Sequence, residues 1–83
     1  SRFYVRLQIA DRPGVLAKVS GVLGKHGISL ASVTQKEVDQ PSVPMIMLTH
    51  QAHESDIQAA LAEINLLDDV FEKPVLFRIE DVQ

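Results

Sequence analysis

The hydrophobic pattern of this chain changes from a strand-like to a helix-like period at one short segment, residues 11–17, and this change restricts the possible folds. Ahead of the segment, apolar and polar residues alternate as in a half-buried strand, with apolar side chains at Phe3, Val5, Leu7 and Ile9. Behind it, the residues that recur at helical spacing are Val15, Leu16, Val19, Ser20, Val22 and Leu23. The chain therefore begins with a strand that leads directly into an amphipathic helix.

The segment that joins this strand and helix predicts a binding site for a small anion. Pro13 suits the first helical position, because its missing N–H would have no intrahelical partner there. The following residues then present unpaired backbone N–H groups at the positive end of the helix dipole, and Gly14 lets a ligand approach the backbone closely. A carboxylate fits such a site as well as a phosphate does.

Three residues of this segment also have a purely structural interpretation. Asp11 is a candidate cap of the first helix, as aspartate near a helix start often is. Arg12 is a candidate solvated loop charge, and Gly14 is a residue that permits tight packing of the helix on the sheet. The sequence leaves both interpretations open at each position.

The pattern next predicts the end of the first helix and a second strand. The helix runs from Pro13 to about His26, and Gly27 follows as the residue after its C-cap. The second strand covers residues 28–38, but its alternation is imperfect. A bulge near residues 31–32 reconciles its two halves.

A third strand over residues 43–50 is expected to be central, because it is apolar on both faces. Residues 40–42 form the turn that precedes it. Pro44 must lie near its start or at a bulge, since proline cannot donate to the strand ladder. Met45 and Met47 are expected to fill the core or a sheet interface.

The last third of the chain predicts a second helix and a final strand. The helix begins around Ser55, which forms a possible capping box with Gln58. Its buried stripe consists of Ile57, Ala60, Leu61 and Ile64. The strand covers residues 70–79, with an interruption expected at Lys73 and Pro74 and with one face formed by Val75, Phe77 and Ile79.

The resulting order, β-α-β-β-α-β with short connections, predicts a single domain over residues 1–83. Two helices on one face of a four-stranded antiparallel sheet bury these apolar faces. Right-handed crossovers then give a ferredoxin-like α+β sandwich. Because the chain starts at Ser1, already inside a strand pattern, we expect it to be part of a longer polypeptide.

Composition excludes several classes of partner. The net charge is −3 and no basic run is present, so we expect no nucleic-acid binding. No apolar run approaches the length of a membrane span, and no signal peptide is present, so we expect no membrane partner and a cytoplasmic protein. The chain has no cysteine, and the spacing of His26, His50 and His53 is not that of a metal site.

The same composition excludes several of the functions that proteins with a ferredoxin-like fold perform. Iron–sulfur proteins and metal chaperones of this fold need cysteines, and the RNA-binding versions need stacking aromatics with a basic sheet face. An acylphosphatase-like enzyme needs a phosphate-binding arginine and a water-positioning amide. Arg12 alone does not indicate such an enzyme. No nucleophile and base, nor paired carboxylates, converge by sequence, so we expect no catalytic residues. A binding module with its site at the first helix start remains.

The chain resembles a known family, the ACT domains. The resemblance lies in residues 7–16 and 24–30 and covers essentially the whole chain. It is sharpest to the ACT domains at the C-terminus of bacterial homoserine dehydrogenases, through residues 3–7, 11–17, 28–35 and 47–50. The Asp11 to Leu16 core alone is also similar to ACT domains of other proteins, including (p)ppGpp synthetases.

The resemblance implies a small amino acid bound between two paired ACT domains. The first loop of one copy would supply Asp11, Arg12, Pro13, Gly14, Val15 and Leu16, and the second strand of the other would supply Ile28, Ser29 and Leu30. The effector carboxylate would meet the N–H groups of Val15 and Leu16, and its ammonium would meet Asp11 or a backbone carbonyl. Gln35 matches a glutamine that closes similar sites in aspartate kinases.

For a homoserine dehydrogenase parent, the resemblance implies threonine as the effector and feedback control of biosynthesis of the aspartate-family amino acids. This domain would then hold no cofactor, and NAD(P) would bind an upstream domain of the parent. The alternative is an oligomerisation module without an amino-acid ligand, as in a (p)ppGpp synthetase. We also expect self-association, by strand pairing or helix packing.

Overall fold

The computed structural model describes residues 1–35 and 40–79, which form four strands and two helices. In chain order these are β1 (Arg2–Ala10), α1 (Val15–Lys25), β2 (Leu30–Gln35), β3 (Ser42–Thr49), α2 (Glu54–Ile64) and β4 (Val75–Ile79). The strands form one antiparallel sheet in the order β2-β3-β1-β4. The predicted ferredoxin-like α+β fold is confirmed, and so is the central position of the third strand.

The core lies between the sheet and the two helices, and the predicted alternation fills it. Every second residue of β3 is buried, and β1 follows the same rule until its last two residues, which are both buried. Met45 and Met47 are fully buried, so they are core residues, and burying a side chain of this size contributes about 1.5–3 kcal/mol. The helices add Val15, Val19, Leu23, Ile57, Ala60, Leu61 and Ile64.

The start of α1 differs from the prediction by two residues. The helix begins at Val15, and Gly14 is its N-cap in a left-handed conformation with φ 87°. A residue with that φ cannot continue a right-handed helix, so Pro13 lies in the preceding turn and the prediction of a start at Pro13 was wrong. Leu16, predicted to lie on the buried stripe, is 40% exposed.

The end of α1 follows the prediction closely. The last helical residue is Lys25, His26 is the C-cap, and Gly27 has a φ of 75°. The N–H of Gly27 donates to the Gly24 carbonyl at 3.0 Å, and the N–H of Ile28 donates to the Leu23 carbonyl at 2.9 Å. These two bonds form a Schellman motif, in which glycine supplies the left-handed residue.

The second strand is shorter at its start than predicted. β2 begins at Leu30, and its pairing with β3 shifts register between Leu30 and Ser32, which confirms the predicted bulge. The predicted continuation over residues 36–38 lies outside the described residues. Gln40 and Pro41 bend the chain into β3, as expected of the turn.

The capping box predicted for α2 is wrong. The helix begins at Glu54 with His53 as its N-cap, and no side-chain cap is found in the described part of the chain. Ser55 is therefore already inside the helix. The first turn instead carries Glu54 and Asp56, whose negative charges favour the positive end of the helix dipole.

The last strand is interrupted where the sequence predicted it. β4 begins at Val75, and Val70 forms only a single bridge with Ile9. Leu76 packs against the core, and the opposite face of the strand exposes 58% of Phe77. In the described residues, no helix is long and apolar enough to cross a membrane.

Candidate functional site

The start of α1 presents backbone donors without an intrahelical partner. The first helical bond runs from the Lys18 N–H to the Gly14 carbonyl, at 3.1 Å. The N–H groups of Val15, Leu16 and Ala17 precede it, and among the described residues no side chain caps this end of the helix. These groups lie at the positive end of the helix dipole, so together they suit a carboxylate.

The space above this helix start is open. A Cβ built on Gly14 would meet no atom of the described chain within 4 Å. The left-handed φ of Gly14 explains the need for glycine there, whereas the predicted role in tight packing on the sheet has no support, because no described residue approaches the position of that Cβ.

Asp11 is exposed at the entrance to this site. Its N–H donates to the Pro41 carbonyl at 3.3 Å, which joins the loop to the start of β3. Within residues 1–35 and 40–79 its carboxylate makes no hydrogen bond or ion pair, and the alternative role as a cap of α1 is contradicted by the absence of a side-chain cap. Asp11 is therefore exposed in the loop that leads into α1.

Arg12 has a partner that the sequence did not indicate. Its guanidinium forms an ion pair with one carboxylate oxygen of Asp69, and Lys18 Nζ lies 2.8 Å from the other oxygen. Asp69 is only 5% exposed. The hydrogen bond from Lys18 holds the pKa of Asp69 below its ordinary value of 3.8, with help from the Arg12 charge and against the opposing effect of burial.

Sequence reasoning missed Asp69 because its partners are far away along the chain. The separations are 57 residues to Arg12 and 51 to Lys18. The acidic pair Asp68 and Asp69 between apolar Leu67 and Val70 is the one local signal of a buried carboxylate, and it does not tell which of the two is buried. That signal does not identify the cations.

The predicted strand residues lie at the far end of the sheet from the loop. Ala10, next to the loop, is opposite Ser42, whereas Leu30 is opposite Thr49. The two ends of β3 are about 23 Å apart. Ile28 is buried, Ser29 is exposed and Leu30 is half-buried, and within one chain none of them can reach a ligand at the start of α1.

Gln35, in contrast, lies toward the same end as the loop. It is exposed on the edge strand β2 and is opposite Met45, three residues from the start of β3. The described chain therefore holds the loop and Gln35 at one end of the sheet, and residues 28–30 at the other.

The Thr49 and His50 pair, which contributed to the resemblance, has a structural role. The buried Thr49 hydroxyl accepts a hydrogen bond from the Phe3 N–H at 3.0 Å and donates to the His50 carbonyl at 2.7 Å. The His50 N–H donates to the Ser29 carbonyl at 2.9 Å. These bonds join β1, β3 and the segment before β2.

Two concave regions lie away from the loop. A cavity of about 450 Å³ is found between α2 and β4, next to Leu61 and Leu76, and one of about 360 Å³ lies on the outer sheet face near Tyr4 and Phe77. Neither is lined by a predicted effector residue. In the described ranges, no group of three or more histidines and acidic residues could hold a metal ion.

Comparison with known proteins gives consistent matches. The ACT domain family model matches residues 3–67. The homoserine dehydrogenase of Pseudomonas aeruginosa is 39% identical over 84 residues, which cover 99% of this chain and 19% of that protein. The chain thus spans about a fifth of the length of this relative.

Solved structures show the same two similarities, to a homoserine dehydrogenase and to an ACT domain. The homoserine dehydrogenase from Thiobacillus denitrificans matches with a TM-score of 0.87 and 41% identity, over 98% of this chain and 18% of that one. The ACT domain from GTP pyrophosphokinase of Chlorobium tepidum matches with a TM-score of 0.68 over 92% of this chain and 96% of that domain. Its identity is 13%, so that likeness shows the fold alone.

Proposed function

The chain belongs to the ACT domain family, and from that premise we propose that it is a regulatory domain that binds a small amino acid, threonine, at the start of α1. One observation carries the proposal: the loop that holds the exposed Asp11 leads within four residues to Val15, the first of three helix-start residues whose N–H groups have no partner in the described chain. An amino acid has the complementary pair of charges, a carboxylate for the N–H groups and an ammonium for Asp11.

We propose further that the site is completed by a second copy of the chain. β2 is an edge strand, and its residues 31–35 are all exposed. If β2 pairs antiparallel with β2 of a second copy, residues 28–30 of that copy come to the end of the sheet that holds the loop. This arrangement accounts for a family site formed by two segments that lie far apart in one chain.

The parent enzyme is also part of the proposal. Similarity to homoserine dehydrogenases supports a C-terminal regulatory domain of such an enzyme, with NAD(P) and the catalytic residues in upstream domains. Threonine would then act in feedback control of aspartate-family biosynthesis in the cytoplasm. Binding inhibits the parent only if the effector prefers one arrangement of the paired domains over another.

The test is an NMR titration of the ¹⁵N-labelled chain with L-threonine, with D-threonine as a control. We expect the amide signals of Val15, Leu16 and Ala17 to shift most with the L enantiomer, because these groups would bind its carboxylate. Saturable shifts confined to other residues would place the ligand elsewhere.

A variant at Asp11 tests the ammonium contact. Asp11→Asn should weaken threonine binding about tenfold, because a charge-assisted hydrogen bond contributes about 1.5–3 kcal/mol and a neutral one about 0.5–1.5. Calorimetry measures the affinity, and Asp68→Asn, also at an exposed aspartate, serves as the control. Equal affinity of the Asp11 variant and the wild type would contradict this contact.

The exposed edge of β2 also favours a second candidate, an oligomerisation module without a ligand. This candidate predicts pairing of the chain but no shifts with threonine, serine, isoleucine or methionine. The same titration, extended to these amino acids, distinguishes the two.

A further inference from the structure

A buried carboxylate lies between two cations beside the start of α1. Asp69 binds Lys18 with one oxygen and Arg12 with the other. Arg12 precedes the N-cap Gly14 by two residues, and the Lys18 N–H makes the first helical hydrogen bond, so the two cationic residues flank residues 15–17 in the chain. The cluster of Arg12, Lys18 and Asp69 has a single net positive charge.

The backbone fixes this carboxylate in place. The Ala10 N–H donates to the Asp69 carbonyl at 2.7 Å, and the Phe71 N–H donates to the Gln8 carbonyl at 3.0 Å. The segment around Asp69 is therefore attached to the end of β1, which leads directly into the loop. Because the pKa of Asp69 is lowered, the group remains charged at neutral pH.

Without a counter-charge, two cations at the positive end of a helix would strongly attract anions that carry more than one charge. Arginine and helix N-termini are common partners of phosphate groups for this reason. We propose that Asp69 determines the charge selectivity of the helix start: by compensating one of the two cations, it makes the site select a single carboxylate over a dianion. This inference rests on the proposed function, because it concerns the ligand class of the same site.

The test uses two simple anions, acetate with one charge and sulfate with two. Each is titrated at constant ionic strength into the ¹⁵N-labelled chain, and the amide signals of Val15, Leu16 and Ala17 report binding. In Asp69→Asn, the ratio of sulfate to acetate affinity should rise about tenfold, because added positive charge attracts a dianion twice as strongly as a monoanion. Lys18→Gln should lower the ratio, since it removes a cation and leaves Asp69 in place.

Glu63→Gln is the matched control. Glu63 also forms hydrogen bonds with two basic side chains, Lys25 and His26, but at the opposite end of α1. This variant should keep the wild-type ratio. A carboxylate with only a structural role would not make Asp69→Asn and Lys18→Gln change the ratio in opposite directions.

The inference is overturned if both variants keep the wild-type ratio with the fold intact, or if neither anion shifts the three amides. If Asp69→Asn does not fold, the test is the ratio of sulfate to acetate affinity in Lys18→Gln. An unchanged ratio in that variant overturns the inference. Failure of the wild type to bind threonine would contradict the proposed function, and the acetate and sulfate ratios would still test the role of Asp69.

Discussion

At the scale of single residues, Gly14 determines where the candidate site begins. Its left-handed conformation ends the turn after β1 and starts α1 one residue later, at Val15. The free N–H groups consequently belong to residues 15–17. A Cβ at Gly14 would meet no atom of residues 1–35 or 40–79 within 4 Å, so the requirement for glycine is conformational.

Two substitutions at Gly14 separate conformational strain from side-chain size. Gly14→Val should lower the free energy of unfolding by about 1–2 kcal/mol or more, because a β-branched residue is strained at positive φ. Gly14→Asn should lower it less, since asparagine adopts this conformation more readily. Urea denaturation followed by circular dichroism measures both, and equal losses would argue against strain as the cause.

The position of the start of α1 could be predicted from the sequence to within two residues. The left-handed conformation of its N-cap, Gly14, could not. Asp11, Pro13 and Gly14 together indicate a turn and a helix start, yet proline at the first helical position and glycine at the N-cap are both common choices. Asp69 could not be paired with Arg12 in advance, because that contact exists only once the segment around Val70 lies beside the end of β1. The capping box at Ser55 failed because Glu54 had already begun the helix.

At the scale of elements, α1 has one glycine in its middle that weakens it, and another glycine just after its end that stabilises its termination. Gly21 lies in the middle of the helix, and a Cβ there would meet no atom of the described chain within 4 Å. Such a glycine lowers helix stability through its backbone entropy without serving close packing. Gly27, by contrast, needs its positive φ of 75° for the Schellman motif.

Substitution by alanine should change the free energy of unfolding in opposite directions at Gly21 and Gly27. Gly21→Ala should raise the free energy of unfolding by about 0.5–1 kcal/mol. Gly27→Ala should lower it by about 1 kcal/mol, because alanine is strained at positive φ. Thermal denaturation compares them, and destabilisation by Gly21→Ala would reveal a contact of α1 with something other than the described residues.

A second element-scale prediction concerns the contact between α1 and α2. Hydrogen bonds from Lys25 and then His26 hold the pKa of Glu63 below its ordinary value of 4.5. A carboxylate with a lowered pKa stabilises the fold above its unfolded-state value, and this stabilisation is lost as pH falls through the lowered value. Wild type should therefore be more stable than Glu63→Gln at pH 7, and the difference should shrink below pH 4.5.

Urea denaturation at pH 7, 5, 4 and 3 measures this difference. Glu72→Gln, at an exposed glutamate between Val70 and β4, is the control and should follow the wild type. A constant difference between wild type and Glu63→Gln across the range would contradict the linkage.

At the scale of the whole molecule, the sheet has two unequal edges. β2 exposes Val33 on one edge, and β4 exposes Val75 on the other, with side chains 36% and 44% exposed. The sequence was sufficient for the β-α-β-β-α-β order, because the change of hydrophobic period marks each element. It was not sufficient to tell which edge pairs with a second copy, since both outer strands carry an exposed apolar residue, Val33 in β2 and Val75 in β4.

We expect a homodimer joined along β2, and matched variants at the two edges test it. Val33→Lys should give a monomer, because it adds a charge to the pairing edge, and lysine on edge strands opposes pairing. Val75→Lys places the same change on β4 and should leave the dimer intact. Light scattering after size-exclusion chromatography measures the mass, and a wild-type monomer at high micromolar concentration would contradict the shared site.

The separation of residues 28–30 from the loop, about 23 Å along β3, has a genetic consequence. In a two-fold dimer each pocket would take its loop from one subunit and its strand from the other. A subunit defective at Asp11 and a subunit defective at Ser29 would then be inactive in binding when each is expressed alone. Co-expressed, they would form mixed dimers in which one pocket is intact and the other carries both defects, so each mixed dimer would bind one effector where a wild-type dimer binds two.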